Sequence, residues 1–363
     1  MNIVLLVNKL TDGGAERVAS LWATGFCNEG HCVTMIIKNS SAPITYKVPE
    51  EIKLYRYNES PISSLKIFRI LYKFRWLREI IKERNANAII SIDPDMSLAM
   101  YIATIGISVP IIHTAHNAFE RPKSAPMSFR TKFEKFYRNK LYAHVTVLTQ
   151  ADKDVIGNRL SHVTVLPNPL TFEPVKSMPE KEKIVLASGR LDEWHVKGFD
   201  LLLSAWGKLG EEKDGWKLVI LGGSKTGKGL DYIKKISSDL CLSDSVSFAG
   251  FQEDILSYYR KASIYVLSSR YEGFGMVLTE AMSQGCACIA CDYKGRQRDI
   301  IGNDTTGIIC RTDEVDDIVN GLRRLMSDDK LRVSMGKAAI ERSEYFNLEN
   351  TMKRWNQIFD KVL

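Results

Sequence analysis

SRYEGFGMVLTEAMSQG, residues 269–285, sets two carboxylates eight positions apart around a pair of closely spaced glycines. Glu272 lies on a turn, where Gly273 and Gly275 let the backbone approach a ligand and adopt conformations that a β-carbon forbids. Glu280 falls in a stretch that is typical of a short helix. The pattern predicts a ligand-binding turn that leads directly into a helix.

This helix is predicted to begin at Met276 and to be closed by Gly285. The unpaired N–H groups and the positive dipole end of a helix start favour anions, typically phosphate. Carboxylates accept hydrogen bonds from hydroxyl groups. The stretch therefore suits a ligand that carries both phosphates and hydroxyls, as a nucleotide sugar does. The alternative is a plain loop with a capping carboxylate and a surface glutamate.

The stretch resembles the Glu-x7-Glu motif of the retaining family 4 (group 1) glycosyltransferases. The resemblance implies an α/β protein of GT-B fold, with two Rossmann-like domains whose parallel sheets face each other across a cleft. It also implies that Glu272 lies by the donor sugar and Glu280 by the ribose. The backbone between them is implied to hold sugar hydroxyls and the diphosphate, at Gly273, Phe274, Gly275, Met276 and Val277.

Length and composition fit this class. The chain has 363 residues with 45% apolar content, which is enough for two packed domains. It has seven cysteines, an odd number, and opens directly with a strand-like run at 3–7, so a reduced, cytoplasmic protein is expected. The alternation Cys-Ala-Cys-Ile-Ala-Cys at 286–291 is typical of a buried strand rather than a zinc site. The longest uncharged run, 96–112, is shorter than the ~20 apolar residues of a membrane span, and a helix followed by a strand is predicted there.

Positive charge is concentrated in the first half of the chain. Residues 1–165 hold 22 Lys and Arg against 14 Asp and Glu, a net charge of +8, whereas the remainder has a net charge of −1. Segments 66–84 and 121–140 carry seven basic residues each, interleaved with aromatic residues. A basic face beside aromatic side chains fits the headgroups of an anionic membrane. The alternative is a solvated helix face whose aromatics lie in the core. Nucleic acid is not expected as a partner, because no binding module is recognisable.

Strand-like and helix-like stretches alternate along the chain, which predicts parallel sheets covered on both faces. The domains are expected at 1–168, on the acceptor side, and at 169–345, for the nucleotide sugar, with a Pro/Glu/Lys-rich linker at 167–183. The family resemblance implies that a C-terminal helix, about 346–363, packs back on the first domain. Predicted strands are 3–7, 32–38, 88–92, 111–113, 145–148, 184–188, 217–221, 246–248, 264–267, 287–290 and 307–309.

Two features of the first half are candidate site residues. The Gly13-Gly14 turn leads into a helix and offers backbone N–H groups to a phosphate, while a purely structural turn is the alternative. The resemblance implies that these glycines, and more loosely Glu16, border the diphosphate and the acceptor. His116 follows a predicted strand end and is preferred over His113. It is implied to bond a sugar hydroxyl or to orient the acceptor, while a structural histidine is the alternative.

The second half supplies cations at a strand end. Arg190 and Lys197 would neutralise charge on a departing diphosphate, and they resemble the Arg and Lys pair of the family. Ordinary surface cations are the alternative. The resemblance also implies donor contacts near Gly223, and near Phe251, where the base would be read and where the alternative is a core aromatic.

Two motifs are expected to mislead. The loop at 222–229 nearly matches a phosphate-binding Walker A loop, but Gly229 stands where a Ser or Thr hydroxyl would bind magnesium. Asp93-Pro94-Asp95 mimics a metal-binding Asp-x-Asp motif, and a proline-containing turn at a strand end explains it. No metal ion and no cofactor are therefore expected.

The motifs occur in the family's order from residue 13 to 285. The resemblance therefore implies a retaining, metal-independent hexosyltransferase that moves a hexose or N-acetylhexosamine from a nucleotide sugar, with a UDP-sugar favoured. The acceptor is expected to be a glycan, lipid-linked through polyprenyl diphosphate, in cell-envelope polysaccharide synthesis such as that of lipopolysaccharide or O-antigen. The expected location is peripheral, on the inner face of the cytoplasmic membrane. A non-catalytic GT-B protein that binds nucleotide sugars, or a membrane-docked scaffold, is the alternative.

Overall fold

A computed structural model describes residues 1–11, 13–38, 41–58, 66–122 and 126–363. These residues form two compact units, one of residues 1–169 with 348–363 and the other of residues 170–347. Each unit contains one sheet in which every paired strand is parallel. The predicted α/β class with two Rossmann-like sheets is confirmed.

The first unit has a seven-stranded sheet in the order β3-β2-β1-β4-β5-β6-β7. The central strand β1 is apolar from Ile3 to Val7 and buried over that length, as expected for a parallel strand covered on both faces. Its elements are β1 (Asn2–Val7), α1 (Gly14–Asn28), β2 (Cys32–Ile37), β3 (Lys53–Arg56), α2 (Lys66–Glu83), β4 (Ala88–Ser91), α3 (Pro94–Ala103), β5 (Ile111–Ala115), α4 (Phe129–Phe136), β6 (His144–Val147), α5 (Gln150–Ile156) and β7 (Val163–Val165).

The second unit has a six-stranded sheet in the order β10-β9-β8-β11-β12-β13. Its central pair, β8 and β11, consists of two mostly buried apolar strands. Its elements are β8 (Glu182–Ser188), α6 (Trp194–Lys197), α7 (Phe199–Lys208), β9 (Lys217–Leu221), α8 (Lys228–Asp239), β10 (Val246–Gly250), α9 (Ile255–Lys261), β11 (Ala262–Leu267), α10 (Met276–Ser283), β12 (Ala287–Asp292), α11 (Arg296–Ile301), β13 (Ile308–Arg311), α12 (Val315–Ser327) and α13 (Asp329–Ser343).

The C-terminal helix α14 (Leu348–Val362) belongs to the first unit and packs on α1. Trp355 is fully buried, with its ring centroid 5.1 Å from that of Trp22 and 5.6 Å from that of Phe26. Gly25 of α1 has no β-carbon where the Met352 side chain passes, and a β-carbon there would lie 2.6 Å from the Met352 sulfur. The close approach of the two helices therefore depends on this glycine.

The sequence missed two strands, β3 and β7, which form the two edges of the first sheet. Both are short and only partly buried, so neither shows the continuous apolar run that marks a central parallel strand. The predicted linker was also too long at its end, because β8 begins at Glu182. The polar residues that open β8 are exposed, and this exposure made them resemble linker.

The misleading motifs have structural explanations. Cys286, Cys288 and Cys291 are buried on or beside β12, as predicted, and burial raises the pKa of each thiol. Asp93 caps α3 by accepting a hydrogen bond from the Met96 amide at 2.8 Å, and proline stands at the first helical position. The turn predicted there is therefore a helix start. Among the described residues no helix is long and apolar enough to cross a membrane.

Candidate donor-binding site

The turn between β11 and α10 has the predicted local structure. Gly275 has φ +99°, in the left-handed region that favours glycine, and α10 begins at the next residue, Met276. The N-cap residue, Gly275, has no side chain that could cap this helix start. Gly285, with φ +79°, follows the helix end. The start of α10 therefore presents backbone amides at the carboxyl end of a central strand, where parallel sheets bind ligands.

Glu272 and Lys197 meet in this turn. The Lys197 Nζ donates to Glu272 Oε1 at 2.7 Å, and the Ser269 hydroxyl donates to the same oxygen at 2.8 Å. The two charged side chains are 20% and 13% exposed, so this ion pair is largely removed from water. The structure thus joins a predicted sugar-binding carboxylate to a predicted phosphate-binding cation.

Glu280 lies inside α10 and is buried, with 5% of its surface exposed. Its Oε2 accepts a hydrogen bond from the Tyr259 hydroxyl at 3.0 Å. Burial raises the pKa of Tyr259 well above its usual value, so this hydroxyl remains a donor. A second buried pair lies beside it, between the Tyr265 hydroxyl and Ser188 Oγ at 2.9 Å. Glu280 is therefore held in a buried polar network rather than on the surface.

Arg190 follows the end of β8, as predicted, but its side chain pairs with Glu193 rather than with Glu272. Its guanidinium is 66% exposed and donates to Glu193 Oε1 at 3.0 Å on the same turn. An exposed arginine with only a local partner can reorient at little cost, because such surface pairs contribute about 0–1 kcal/mol. Arg190 is therefore available to a ligand.

The loop that resembles a Walker A motif is already occupied by a carboxylate. Asp192 accepts from the backbone amides of Lys225 and Thr226 and from the hydroxyls of Ser224 and Thr226, at 2.6–3.3 Å. The Ser224 and Thr226 hydroxyls hold the pKa of Asp192 well below its usual range. A β-carbon on Gly229 would lie 2.1 Å from the Leu191 carbonyl oxygen, which explains the glycine there.

The two phenylalanines of the predicted site have opposite environments. Phe251 is 75% exposed, so the alternative of a core aromatic is wrong, and its Cβ lies 3.7 Å from the β-carbon position of Gly223. Phe274 is buried, and its carbonyl oxygen accepts from Gln297 Nε2 at 3.3 Å. Phe251 can stack on a ligand, whereas Phe274 anchors the turn.

In the first unit, Gly13 is the N-cap of α1 and Gly14 is its first residue. The Gly13 amide donates to the Tyr46 hydroxyl at 3.2 Å, and a β-carbon on Gly13 would lie 1.9 Å from Glu16 Oε2. Glu16 thus folds over the helix start where a larger residue would collide with it. The atom that a β-carbon would meet is the flexible end of the Glu16 side chain, and Gly13 has an extended conformation with φ −162°, so this contact does not by itself require glycine at this position.

His116 lies directly after β5, which runs to Ala115 and so two residues beyond its predicted end. Its ring is 5.6 Å from that of Trp22, and burial lowers the pKa of His116 to about 4. Its imidazole is therefore neutral near pH 7 and can donate or accept a hydrogen bond without carrying charge. His113 is a buried core residue, and its Nδ1 lies 2.9 Å from Ser97 Oγ, within hydrogen-bond distance.

The segment from Ser268 to Met276, between β11 and the start of α10, is called the donor turn here. Three contacts in and beside it were not predicted from the sequence. Arg270 forms a bidentate ion pair with Asp200, Tyr259 bonds Glu280, and Gln297 bonds the turn's backbone. Arg270 lies in the stretch 269–285, two residues before Glu272, and this proximity could have marked it as a candidate site residue. Tyr259 and Gln297 carry no such signal. Within the described ranges, no group of three or more His, Cys, Asp or Glu side chains could hold a metal ion.

Comparison with known protein families shows to which class of protein the chain belongs. The family model described as Glycosyltransferase Family 4 matches residues 12–173, and the model described as Glycosyl transferases group 1 matches residues 171–342. The two matches follow one another and together span residues 12–342. The chain belongs to the group 1 glycosyltransferases, with a family 4 domain at its N-terminal end, and it is a glycosyltransferase.

Relatives and solved structures agree with this class. The chain is 28% identical to the amylovoran biosynthesis glycosyltransferase AmsD of Erwinia amylovora, over 99% of both chains. It is also 28% identical to an undecaprenol-diphosphate-glycan α-1,4-N-acetyl-D-galactosaminyltransferase of Campylobacter jejuni, over 100% of this chain and 99% of the relative. Sucrose-phosphate synthase from Thermosynechococcus elongatus has the same fold, with a TM-score of 0.83, 20% identity and coverage of 99% and 98%. The predicted GT-B fold is confirmed.

Proposed function

We propose that this glycosyltransferase moves a hexose or N-acetylhexosamine from a nucleotide sugar, with a UDP-sugar favoured, to a glycan acceptor with retention at the anomeric carbon. The observation that carries the proposal is the Lys197–Glu272 ion pair beside the uncapped start of α10. Anabaena HepE, which has this fold with a TM-score of 0.79 and 16% identity over 99% of both chains, was solved in complex with UDP and glucose. That fold likeness supports a nucleotide sugar as the donor class.

Arg190 and Lys197 are proposed to stabilise the leaving group. The bond between the anomeric carbon and the diphosphate oxygen breaks, and the two cations take up the negative charge that develops on that oxygen. The acceptor hydroxyl attacks the same face of the sugar and passes its proton to the departing phosphate. Because the cations supply the electrostatic stabilisation, the proposed reaction needs no metal ion and no cofactor.

Glu272, Glu280 and His116 are proposed to position the substrates. An ammonium group has three donors, so Lys197 can keep its bond to Glu272 and still bind a phosphate oxygen. Glu272 then accepts from hydroxyls of the donor sugar, and Glu280 accepts from the ribose. The neutral imidazole of His116 is proposed to bond a sugar hydroxyl or to orient the acceptor.

The remaining donor contacts are proposed from backbone amides and one exposed ring. The amides of the α10 start and of the Gly13-Gly14 turn would bind sugar hydroxyls and diphosphate, and Phe251 would lie against the base. Residues proposed for these contacts are Gly13, Gly14, Gly223, Phe251, Gly273, Phe274, Gly275, Met276 and Val277.

The acceptor is proposed to be a glycan linked to polyprenyl diphosphate, in the synthesis of a bacterial surface polysaccharide. Two relatives of Campylobacter jejuni and one of Escherichia coli are named for acceptors linked to undecaprenyl diphosphate. These relatives align over 94–100% of this chain at 24–28% identity, so the likeness includes the N-terminal half.

The first unit is proposed to dock on an anionic membrane surface from the cytoplasmic side. The first turns of α2 expose Phe68 and Leu71, each 56% accessible, whereas the apolar side chains of its later turns, Leu77, Ile80 and Ile81, are buried. Phe129 of α4 is 85% exposed. Asp95 lies 3.4 Å from Arg130 of α4 and within electrostatic reach of Lys73 of α2, so the two basic helices flank one acidic residue. Exposed apolar side chains among cations suit a headgroup layer.

The donor role of Glu280 is tested by Glu280→Gln, which keeps the size of the side chain. Loss of a charged hydrogen bond to the ribose costs about 1.5–3 kcal/mol, so UDP should bind roughly 10- to 100-fold more weakly. Isothermal titration of UDP and GDP measures this, with the exposed Glu211→Ala variant as the control. Unchanged UDP affinity in a folded Glu280→Gln protein would remove this assignment.

Membrane docking is tested by flotation with vesicles that contain anionic phosphatidylglycerol and with vesicles of neutral phosphatidylcholine. Recovery should require the anionic lipid at low salt, should decrease at high salt, and should decrease in a Leu71→Ser, Phe129→Ser variant. Leu240→Ser is a matched control, because Leu240 is 42% exposed in the second unit. Equal recovery with neutral vesicles at low salt would contradict the electrostatic part of the proposal.

A further inference from the structure

Lys197 is the last residue of α6, a helix that is too short to be stable by itself. The helix α6 contains only four residues and is followed by Gly198 in the left-handed conformation, with φ +65°. An isolated helical turn is unstable, because nucleation fixes several residues for a single hydrogen bond. The position of the Lys197 ammonium therefore depends on contacts from outside α6.

Those contacts come from the donor turn. The Arg270 amide donates to the Val196 carbonyl at 2.8 Å, and the Ser268 hydroxyl donates to the Lys197 carbonyl at 2.9 Å. A β-carbon on Gly198 would lie 2.0 Å from the Ser268 carbonyl oxygen, so the two backbones touch. The short helix is thus fastened to the same segment that carries Glu272.

The Arg270 guanidinium forms hydrogen bonds with residues on both sides of Lys197 in the sequence. Its Nη1 donates to the His195 carbonyl at 2.6 Å, and Nη1 and Nη2 donate to the two Asp200 carboxylate oxygens at 2.7 and 2.8 Å. Its Nε bonds Asp313 after β13. The Arg270 side chain is 16% exposed, which makes this bidentate pair more rigid than a surface pair.

We propose that Arg270 is the positioning residue of the donor site, which holds the Lys197 ammonium at Glu272 and so sets the binding of the donor diphosphate. This inference rests on the proposed role of Lys197. A lysine at this position would keep the positive charge but could not bridge the His195 carbonyl and both Asp200 oxygens at once. The Arg270→Lys variant therefore separates positioning from charge.

The experiment measures UDP affinity by titration calorimetry and uridine affinity by ligand-observed NMR in Arg270→Lys, Lys197→Ala and the double variant. Arg270→Lys and Lys197→Ala are each expected to weaken UDP binding by about tenfold or more, and the double variant is expected to bind UDP no more weakly than Lys197→Ala. Uridine lacks the diphosphate, so its affinity should remain that of the wild type in Arg270→Lys.

Arg323→Lys is the matched control, because Arg323 also forms a bidentate pair, with Glu212, but on the exposed surface of the second unit. It should bind UDP as the wild type does. If Lys197→Ala weakens UDP and Arg270→Lys does not, the positioning role is wrong and the proposed function stands. Equal loss of uridine affinity in Arg270→Lys would show general damage and would also overturn the inference. If Lys197→Ala leaves UDP affinity unchanged, the proposed role of Lys197 fails, and the inference fails with it.

Discussion

At the scale of single residues, the charged side chains of the proposed donor site are hydrogen-bonded to neighbouring residues. Lys197 and Glu272 neutralise each other at 2.7 Å, and Glu280 accepts a hydrogen bond from a buried tyrosine. A preorganised site of this kind pays little reorganisation cost when the substrate arrives. The arrangement therefore favours a ligand that bonds to groups already in place.

The Tyr259 hydroxyl is predicted to be part of this preorganisation. In Tyr259→Phe the Glu280 carboxylate loses a donor, which should cost about 1–3 kcal/mol of unfolding free energy and weaken UDP binding severalfold. Denaturant unfolding and UDP titration measure the two effects. Tyr142→Phe is the matched control, since Tyr142 is also a buried tyrosine but lies in the first unit. Equal UDP affinity in the two variants would contradict the prediction.

Local patterns determined which site residues the sequence could reveal. The glycine turn, the start of α10 and the two glutamates lie within one short stretch, where glycine spacing and helix signals act directly. The bond from Lys197 to Glu272 joins residues 75 positions apart, and no local pattern contains it. For the same reason Tyr259 and Gln297 could be found only in the folded chain.

At the scale of elements, burial determines what could be predicted. Central strands such as β1 and β11 are apolar over nearly their whole length and were predicted within one or two residues. The edge strands β3 and β7 lack that signal and were missed. The aromatics of α2 and α4 could not be assigned to core or surface from sequence alone, since a basic amphipathic stretch fits both.

The C-terminal helix α14 is predicted to be essential for the stability of the first unit. Trp355 is fully buried against Trp22 and Phe26, so Trp355→Ala should cost about 3–5 kcal/mol of unfolding free energy. Thermal and denaturant unfolding of the purified variant measure this. Lys353→Ala on the exposed side of the same helix should change stability by less than about 0.5 kcal/mol. Similar losses in both variants would contradict this packing.

At the scale of the whole molecule, the first unit combines net positive charge with the buried His113 and His144 and the partly buried His116. Burial lowers the pKa of His113 to about 3 and the pKa values of His116 and His144 to about 4. These side chains stay neutral in the folded protein while the unfolded chain takes up protons below about pH 6.5. Protonation therefore favours the unfolded state of this unit.

Stability should consequently decrease as the pH falls from about 6.5 towards 4, by at most about 1.4 kcal/mol for each pH unit and each histidine. Denaturant unfolding at a series of pH values between 6.5 and 5 measures the slope. His113→Asn removes one titrating group and should give a shallower slope than the wild type. An identical slope in that variant, or stability that rises on acidification, would contradict the assignment.

The proposed reaction transfers a sugar from a nucleotide donor with retention and without a metal ion. The most direct measurement is the proton NMR coupling of the anomeric position in the product, formed from a panel of UDP- and GDP-sugars with a lipid-diphosphate glycan acceptor in the presence of EDTA. The product is expected to have the same anomeric configuration as the donor. A product of inverted configuration, or turnover that stops in EDTA and returns with a divalent cation, would contradict the proposed reaction.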